Sequence, residues 1–391
     1  MATPDFVRET LDDLQARDLY RRLVAVGSAA GPRVDVGGRA VLQFASNNYL
    51  GLAADPRVRE AAVRAIERWG WGAGASRLLA GHTDAHAALE ADLASFKGAE
   101  AALVFPSGYM ANLGVMTALV GRGDLVACDR ENHASIYDAI RLSGAELARY
   151  PHGDVGAAAE LLGVSSPKRS RTLLVTDTVF SMGGDLAPLA ALAEACCASG
   201  AMLLVDEAHA LGVLGPTGAG LAETLPHKYD GAITASVGTL SKALGGVGGF
   251  VAASRDVIEL LVNRARPFIY TTALPAAACE AARAALAIVR SEPERRTRLL
   301  ALADRLRRAL RERDFDCGRS ETPIIPVIVG EPARALAMAA ALLARGIFCP
   351  AIRPPTVPPG TSRLRISLTA EHIEEDVDLL VRALVAARDK K

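Results

Sequence analysis

The chain has 391 residues, half of them hydrophobic and 23% charged, which is ample for a large core and excludes a disordered chain. Lysine plus arginine number 44 and aspartate plus glutamate number 44, a balance that argues against nucleic acid or another polyanion as the main partner. The length exceeds what one core usually supports, and no apolar run reaches the roughly 18–20 residues of a membrane span, so two domains and no membrane anchor are expected.

In chain order, MATPDFVRETLDDLQARD is charged throughout and lacks the apolar centre of a signal peptide. Residues 1–40 read as a helix and an arm, too short to form a domain alone. From 41 to 275 short apolar runs (ALVF, LVACD, LLVTD, MLLVD, AITASVG, FVAAS) alternate with helix-like segments such as HAALEADLASFKG. Continuous rather than alternating apolar runs mark strands covered on both faces, so this region reads as an α/β domain with a parallel sheet. Residues 276–391 differ: a long arginine-rich amphipathic helix in SEPERRTRLLALADRLRRALRERD, a strand in PIIPVIVG, a helix in PARALAMAAALLARG, the pair FCPAIRPP and SRLRISL, and a last helix. These imply a smaller α+β domain, with the arginines on a solvated helix face. The cysteines at 128, 196, 197, 279, 317 and 349 show no CxxC pair and no metal-like spacing, which suits reduced thiols in a cytoplasmic protein and no metal site.

Ligands of open parallel sheets collect at the carboxyl ends of strands, so the residues that follow each run carry the chemistry. They are PSGYMANLG, RENHAS, TVFSMGGD, EAHALG and TLSKALGG. Ser107, Gly108 and Tyr109 stand where a loop enters a helix, an anion site of backbone amides. Asp206 ends a strand, where a carboxylate can hold a protonated ring nitrogen; His209 can bond a phenolic oxygen, and His133 can stack on a flat ring. Singly, each also suits an ordinary turn, an N-cap or a structural histidine. Lys242 is the one charged residue between Asp230 and Arg255. A lysine buried among small apolar residues has its pKa lowered and becomes a nucleophile able to form an imine. Phosphate site, ring-nitrogen carboxylate, stacking histidine and imine lysine together specify pyridoxal 5′-phosphate (PLP). No GxxxxGK[ST] loop occurs, and GAGAS lacks the third glycine of a dinucleotide site.

The motifs NNYLGL, GAGASRLLAGH, FPSGYMAN, NHAS, TDTVFSMGGDLAPL, VDEAHALGVLGPTGAG, TLSKALGGVG and YTTALP stand in the order and spacing of one family. Over nearly its whole length the chain resembles the α-oxoamine synthases, a branch of the fold-type I PLP enzymes. The resemblance implies a large domain with a mainly parallel seven-stranded sheet, a small C-terminal α+β domain, and a homodimer with active sites at the interface. It implies that Lys242 carries the cofactor imine, that Asp206 pairs with the pyridine nitrogen, and that His133 stacks on the ring and faces substrate. His209 would bond the ring oxygen, while Gly108, Tyr109, Ser181 and Thr239 would lie at or around the phosphate. Thr271 or Thr272 would reach the phosphate of the neighbouring subunit. Arg365, helped by Asn47, would bind the amino-acid carboxylate, and Arg21 and Thr356 would line the acyl channel. Many relatives read SMDGD where this chain has Gly183, so any contact of that aspartate is missing here.

Near the C-terminus, AIRPPTVPPGTSRLRISLTA is most similar to the biotin-pathway branch. That implies decarboxylative condensation of L-alanine with a pimeloyl thioester, on CoA or an acyl carrier protein, with Lys242 as base for the α-proton. The alternatives are a sister synthase, such as glycine C-acetyltransferase or 5-aminolevulinate synthase, and an aminotransferase of the same fold.

Overall fold

The structure, a computed structural model, describes residues 3–163 and 170–388. It divides into two compact units: Leu50–Ser181 with Leu186–Arg296, and Met1–Tyr49 with Met182–Asp185 and Thr297–Lys391. In chain order the strands are β1 (Arg33–Val36), β2 (Arg39–Gln43), β3 (Ala101–Phe105), β4 (Leu125–Asp129), β5 (Glu146–Tyr150), β6 (Thr172–Asp177) and β7 (Met202–Asp206). They continue as β8 (Ala235–Thr239), β9 (Gly249–Ala253), β10 (Ile324–Gly330), β11 (Ile347–Phe348), β12 (Ala351–Ile352) and β13 (Ser362–Ser367).

The larger unit holds a seven-stranded sheet of order β3-β9-β8-β7-β6-β4-β5. Strands β5, β4, β6, β7 and β8 are parallel, and β9 runs antiparallel to both β8 and β3. Successive side chains of one strand enter different cores. Val126 and Cys128 pack with Leu173, Val175 and Leu204 on one face, while Ala127, Leu174, Leu203 and Val205 pack on the other. This double burial is why the strands read as unbroken apolar runs. Each of Leu173, Leu174, Leu203 and Leu204 is fully buried, a burial worth about 2 kcal/mol apiece.

The helix Ala276–Ser291 belongs to this larger unit, whereas the sequence placed the boundary at 275/276. Its buried face is mostly small (Ala276, Ala277, Ala282, Ala285), which lets it lie close against the helices Pro56–Trp69 and Asp84–Lys97. Ion pairs rim the contact: Arg57 with Asp55 (2.8 Å) and Glu292, and Arg283 with Asp92 (2.7 Å). Thr83 and His86 cap the helix Asp84–Lys97 reciprocally, and Gly98 ends it at φ +62°.

In the smaller unit β1 and β2 form a hairpin whose turn residues Gly37 and Gly38 both have positive φ (+61° and +76°), as a two-residue turn of matching twist requires. β11 adds to β2 in parallel, so the N-terminal arm is part of this unit's structure, not an appendage. A second sheet has the order β10-β13-β12. Arg33 ties the hairpin to the buried Asp376 of the last helix, Glu374–Arg388 (2.9 Å). Gly184 is held here too: its carbonyl accepts from Glu321 N (3.0 Å) and Thr322 Oγ1 (2.9 Å).

The arginine-rich helix, Glu294–Arg311, keeps Arg298, Arg308 and Arg311 exposed, as a solvated basic face requires, but departs from that expectation at two positions. Arg296 and Arg307 are buried, and their guanidinium groups donate to backbone carbonyls: Arg296 to Val289 (3.0 Å) and Pro216 (3.1 Å), Arg307 to Thr322 (2.6 Å). Arg305 forks onto Asp378 at 3.0 Å. Five of the six cysteines are buried, and burial pushes the thiols of Cys128, Cys196, Cys279 and Cys349 up to about 12, so they are not nucleophiles at neutral pH. Among the described residues no helix is long and apolar enough to cross a membrane.

Candidate active site

A cavity of about 230 Å³ opens in the larger unit at the carboxyl ends of β6, β7 and β8. Asp177, Asp206 and Thr239, the last residues of those strands, all line it. Parallel register alone brings the two aspartates together, since Asp177 stands opposite Asp206.

One end of the cavity is built for an anion. Ser107 is extended (φ −156°), and its hydroxyl accepts from Met110 N at 3.2 Å, capping the helix Gly108–Leu119. The amides of Gly108 and Tyr109 precede any possible intrahelical acceptor, so they face the cavity with the positive end of the helix dipole. β9 passes directly under this turn. A Cβ on Gly249 would lie 2.5 Å from Gly108 N, so only glycine fits. The Thr239 hydroxyl donates to Gly248 O (2.9 Å) and lies 2.8 Å from the hydroxyl of Ser241, which adds a further polar group to the wall. Tyr109 lies at the mouth, its hydroxyl donating to Asp138 Oδ2 at 2.6 Å.

The other end is anionic. The buried Asp206 accepts from Ala208 N through Oδ1 (2.9 Å) and from Asn112 Nδ2 through Oδ2 (2.7 Å). It therefore acts as the turn cap that aspartate often is, while its carboxylate still lines the cavity. His133 is the N-cap of the helix Ala134–Ser143; its Nδ1 accepts from Ser135 N (3.3 Å) and lies 2.7 Å from Ser135 Oγ. Its ring is open on the cavity side. Desolvation by the surrounding protein lowers its pKa, the Asp206 charge opposes that shift, and the Lys242 charge adds to it. Asp177 accepts from the His133 backbone amide (2.9 Å). Burial first, and then the neighbouring Asp206, push its carboxyl well above the usual range.

Lys242 departs from expectation. It is half-buried, in the tight turn after β8 that is closed by Gly245 N donating to Lys242 O (2.9 Å). Although isolated in sequence, it lies within electrostatic reach of Asp177, whose carboxyl it stabilises as the anion, and of His133. The fold thus brings titratable groups from the end of β6 and from the turn after β4 near a lysine that is isolated in sequence.

Of the residues named from sequence, Gly108, Tyr109, His133, Asp206, His209, Thr239 and Lys242 line this one cavity. Ser181, in the loop after β6, lies outside its lining; so do Thr271 and Thr272, as residues expected to serve a neighbouring subunit would, and Thr272 bridges to Ser76. In the smaller unit the buried Arg365 on β13 donates to Asn47 Oδ1 (3.1 Å) and Ser367 Oγ (2.8 Å). Tyr49 donates to the same Asn47 oxygen (3.2 Å), and burial raises its phenol to about 12. Arg21, on the surface, reaches Thr356 Oγ1 at 3.5 Å. Asn112, Ser135, Asp177 and Ser241 also line the cavity and were not named from sequence. Their only signal was a place inside the quoted motifs FPSGYMAN, NHAS, TDTVF and TLSK.

The donor set fits PLP. Helix amides and hydroxyls suit its phosphate, the acceptor-only carboxylate of Asp206 suits a protonated pyridine nitrogen, and Lys242 supplies the amine for its aldehyde. The comparisons agree. Residues 39–384 match the model of the family described as "Aminotransferase class I and II". A curated 8-amino-7-oxononanoate synthase of Anaeromyxobacter dehalogenans is 56% identical over 382 residues, covering 98% of this chain and 95% of that one. The solved serine palmitoyltransferase of Sphingomonas wittichii superposes with a TM-score of 0.91 at 33% identity, covering 98% of this chain and 96% of its own. A serine palmitoyltransferase structure solved with PLP as internal aldimine gives the same TM-score, identity and coverage. Matched over almost its entire length, the chain belongs to the PLP-dependent class I and II aminotransferase family, in the branch of the 8-amino-7-oxononanoate synthases.

Proposed function

We propose that this enzyme condenses L-alanine with a pimeloyl thioester to give 8-amino-7-oxononanoate, carbon dioxide and the free thiol carrier, a step of biotin biosynthesis. The observation that carries the reading is the convergence of the anion-binding turn at Ser107–Tyr109, Asp206, His133, His209 and Lys242 on one cavity. The 56% identity to an 8-amino-7-oxononanoate synthase supports the choice of substrates.

When bound, PLP supplies an electron sink for negative charge developing at the amino-acid α-carbon. The chain's own residues do the rest. The amides of Gly108 and Tyr109, with Thr239, would anchor the phosphate, and Ser181, outside the cavity lining, would belong only to its wider surroundings. Asp206 holds a proton on the pyridine nitrogen, because its two bonds from Asn112 and Ala208 keep it an acceptor. His209 would bond the ring oxygen, and His133 would face the ring and the substrate. With PLP bound, Lys242 would supply the amine that holds its aldehyde and the base for the α-proton. Arg365, oriented by Asn47, takes the amino-acid carboxylate, for which its planar fork is matched. Arg21 and Thr356 serve the acyl chain, and Thr271 or Thr272 serves the second site of a homodimer.

A panel of alanine, glycine and serine against pimeloyl, acetyl, succinyl and palmitoyl thioesters tests this reading through release of free thiol. Fastest release with alanine and pimeloyl thioester is expected. The serine palmitoyltransferase likeness makes serine with palmitoyl thioester the second reading, and fastest release with that pair would replace the first.

A further inference from the structure

We propose that Asn112 and Ser135 are positioning residues that link Asp206 to His133 and hold the His133 imidazole neutral, with its proton on Nε2. The chain of bonds has one consistent direction. The side-chain nitrogen of Asn112 donates one hydrogen to Asp206 Oδ2 (2.7 Å) and the other to Ser135 Oγ (3.0 Å). An amide nitrogen can only donate, so Ser135 Oγ is an acceptor there and its own hydrogen is left for His133 Nδ1 at 2.7 Å. The Ser135 backbone amide points at that same Nδ1 (3.3 Å). Nδ1 thus accepts from both and cannot carry a proton.

The orientation of Asn112 is fixed as well. Turned over, its oxygen would face the Asp206 carboxylate. As it stands, the buried Asn112 Oδ1 has no partner among the described residues. An orphaned buried acceptor is a cost that the two donated bonds must outweigh. The charged groups facing His133 come from several elements: Asp206 at the end of β7, Asp177 at the end of β6, Asp138 on its own helix, and Lys242 after β8. Burial lowers the pKa of the ring, which favours the same neutral form. The chemical use rests on the cavity being the PLP site. An imidazolium over the pyridine ring would compete for the Asp206 charge and oppose a proton on the ring nitrogen; a neutral imidazole leaves that charge undivided.

The test is ¹⁵N-histidine NMR of the wild-type enzyme, with and without PLP, between about pH 6.5 and 8, the range in which an ordinary histidine titrates. His133 is expected to show the Nε2-protonated signature throughout. Ser135→Ala should produce a mixture of tautomers and lower kcat about tenfold with KM for the amino acid nearly unchanged, and Ser135→Thr should restore both. Asn112→Ala should weaken PLP binding about tenfold, read from visible absorbance on dilution. A wild-type His133 carrying a proton on Nδ1 overturns the proposal, as does a Ser135→Ala spectrum identical to wild type. Should Ser135→Ala not fold, the wild-type spectrum and Ser135→Thr still decide. If wild type binds no PLP, the cofactor reading fails, while the PLP-free spectrum still settles the tautomer.

Discussion

Asp206 and Glu207 are consecutive carboxylates at the end of β7, and they face opposite regions of the larger unit. Glu207 points inward and is enclosed: Lys97 donates to it from the end of its helix, and Ala222 N (2.9 Å) and Ser236 Oγ (3.2 Å) complete its shell. Lys97 also bonds Ala219 O, so the pair pins the loop that carries His209. Asp206 points into the cavity with a side left for a ligand. The difference teaches how a structural charge is told from a working one. The first is enclosed by three protein donors, one of them a cation, and the second is oriented by two donors while still lining an open space.

The comparison can be broken at several points. The largest effect belongs to the cavity face: Lys242→Ala should lower turnover roughly 10⁴-fold, the upper end for a single acid–base group, and abolish the visible absorbance of the imine, while circular dichroism stays unchanged. On the enclosed face, Lys97→Met should leave Glu207 buried without its counter-ion and cost about 3–5 kcal/mol in urea unfolding. A loss under 1 kcal/mol would show that the pair is dispensable.

Smaller is the effect of His86, buried on the same helix as Lys97, with Nε2 donating to Leu274 O (2.9 Å). Burial, then the Arg77 charge, lower its pKa from 6.5 to about 4. Above pH 6.5 the imidazole is neutral folded or unfolded. Below that value the unfolded chain takes up the proton first, so this residue's contribution falls from pH 6.5 towards 4, by roughly 3 kcal/mol in all. Urea unfolding at a series of pH values should show a slope in that window that His86→Gln lacks. The smallest effect is in water: Arg305→Ala, which loses the exposed fork onto Asp378, should change stability by less than about 1 kcal/mol, and that little should vanish in high salt.

Most of the sheet was legible because parallel strands buried on both faces leave unbroken apolar runs. β5 (ELARY) was missed because an edge strand needs no apolar run and carries Glu146 and Arg149 at exposed positions. The reversed direction of β9 could not be read, since FVAAS is apolar whichever way it runs. Within the cavity, Lys242 stood out through its isolation and glycine-rich setting, and Asp206 through its place at a strand end. Asn112 and Ser135 are common helix residues, and their role arises only when three separate segments meet. The arginines at 296 and 307 misled for a related reason: a guanidinium that reaches a carbonyl through an inward turn of its helix has the same letter as one in solvent.

The close crossing of β9 beneath the anion-binding turn has a consequence for anyone who diversifies this enzyme. At position 249 every obstruction is main chain, namely Gly108 and the carbonyl carbon of Ser107, which no rotamer change can clear. A saturation library at that codon should therefore return glycine alone among active clones. Attempts to alter this end of the cavity must work through the neighbouring hydroxyls instead.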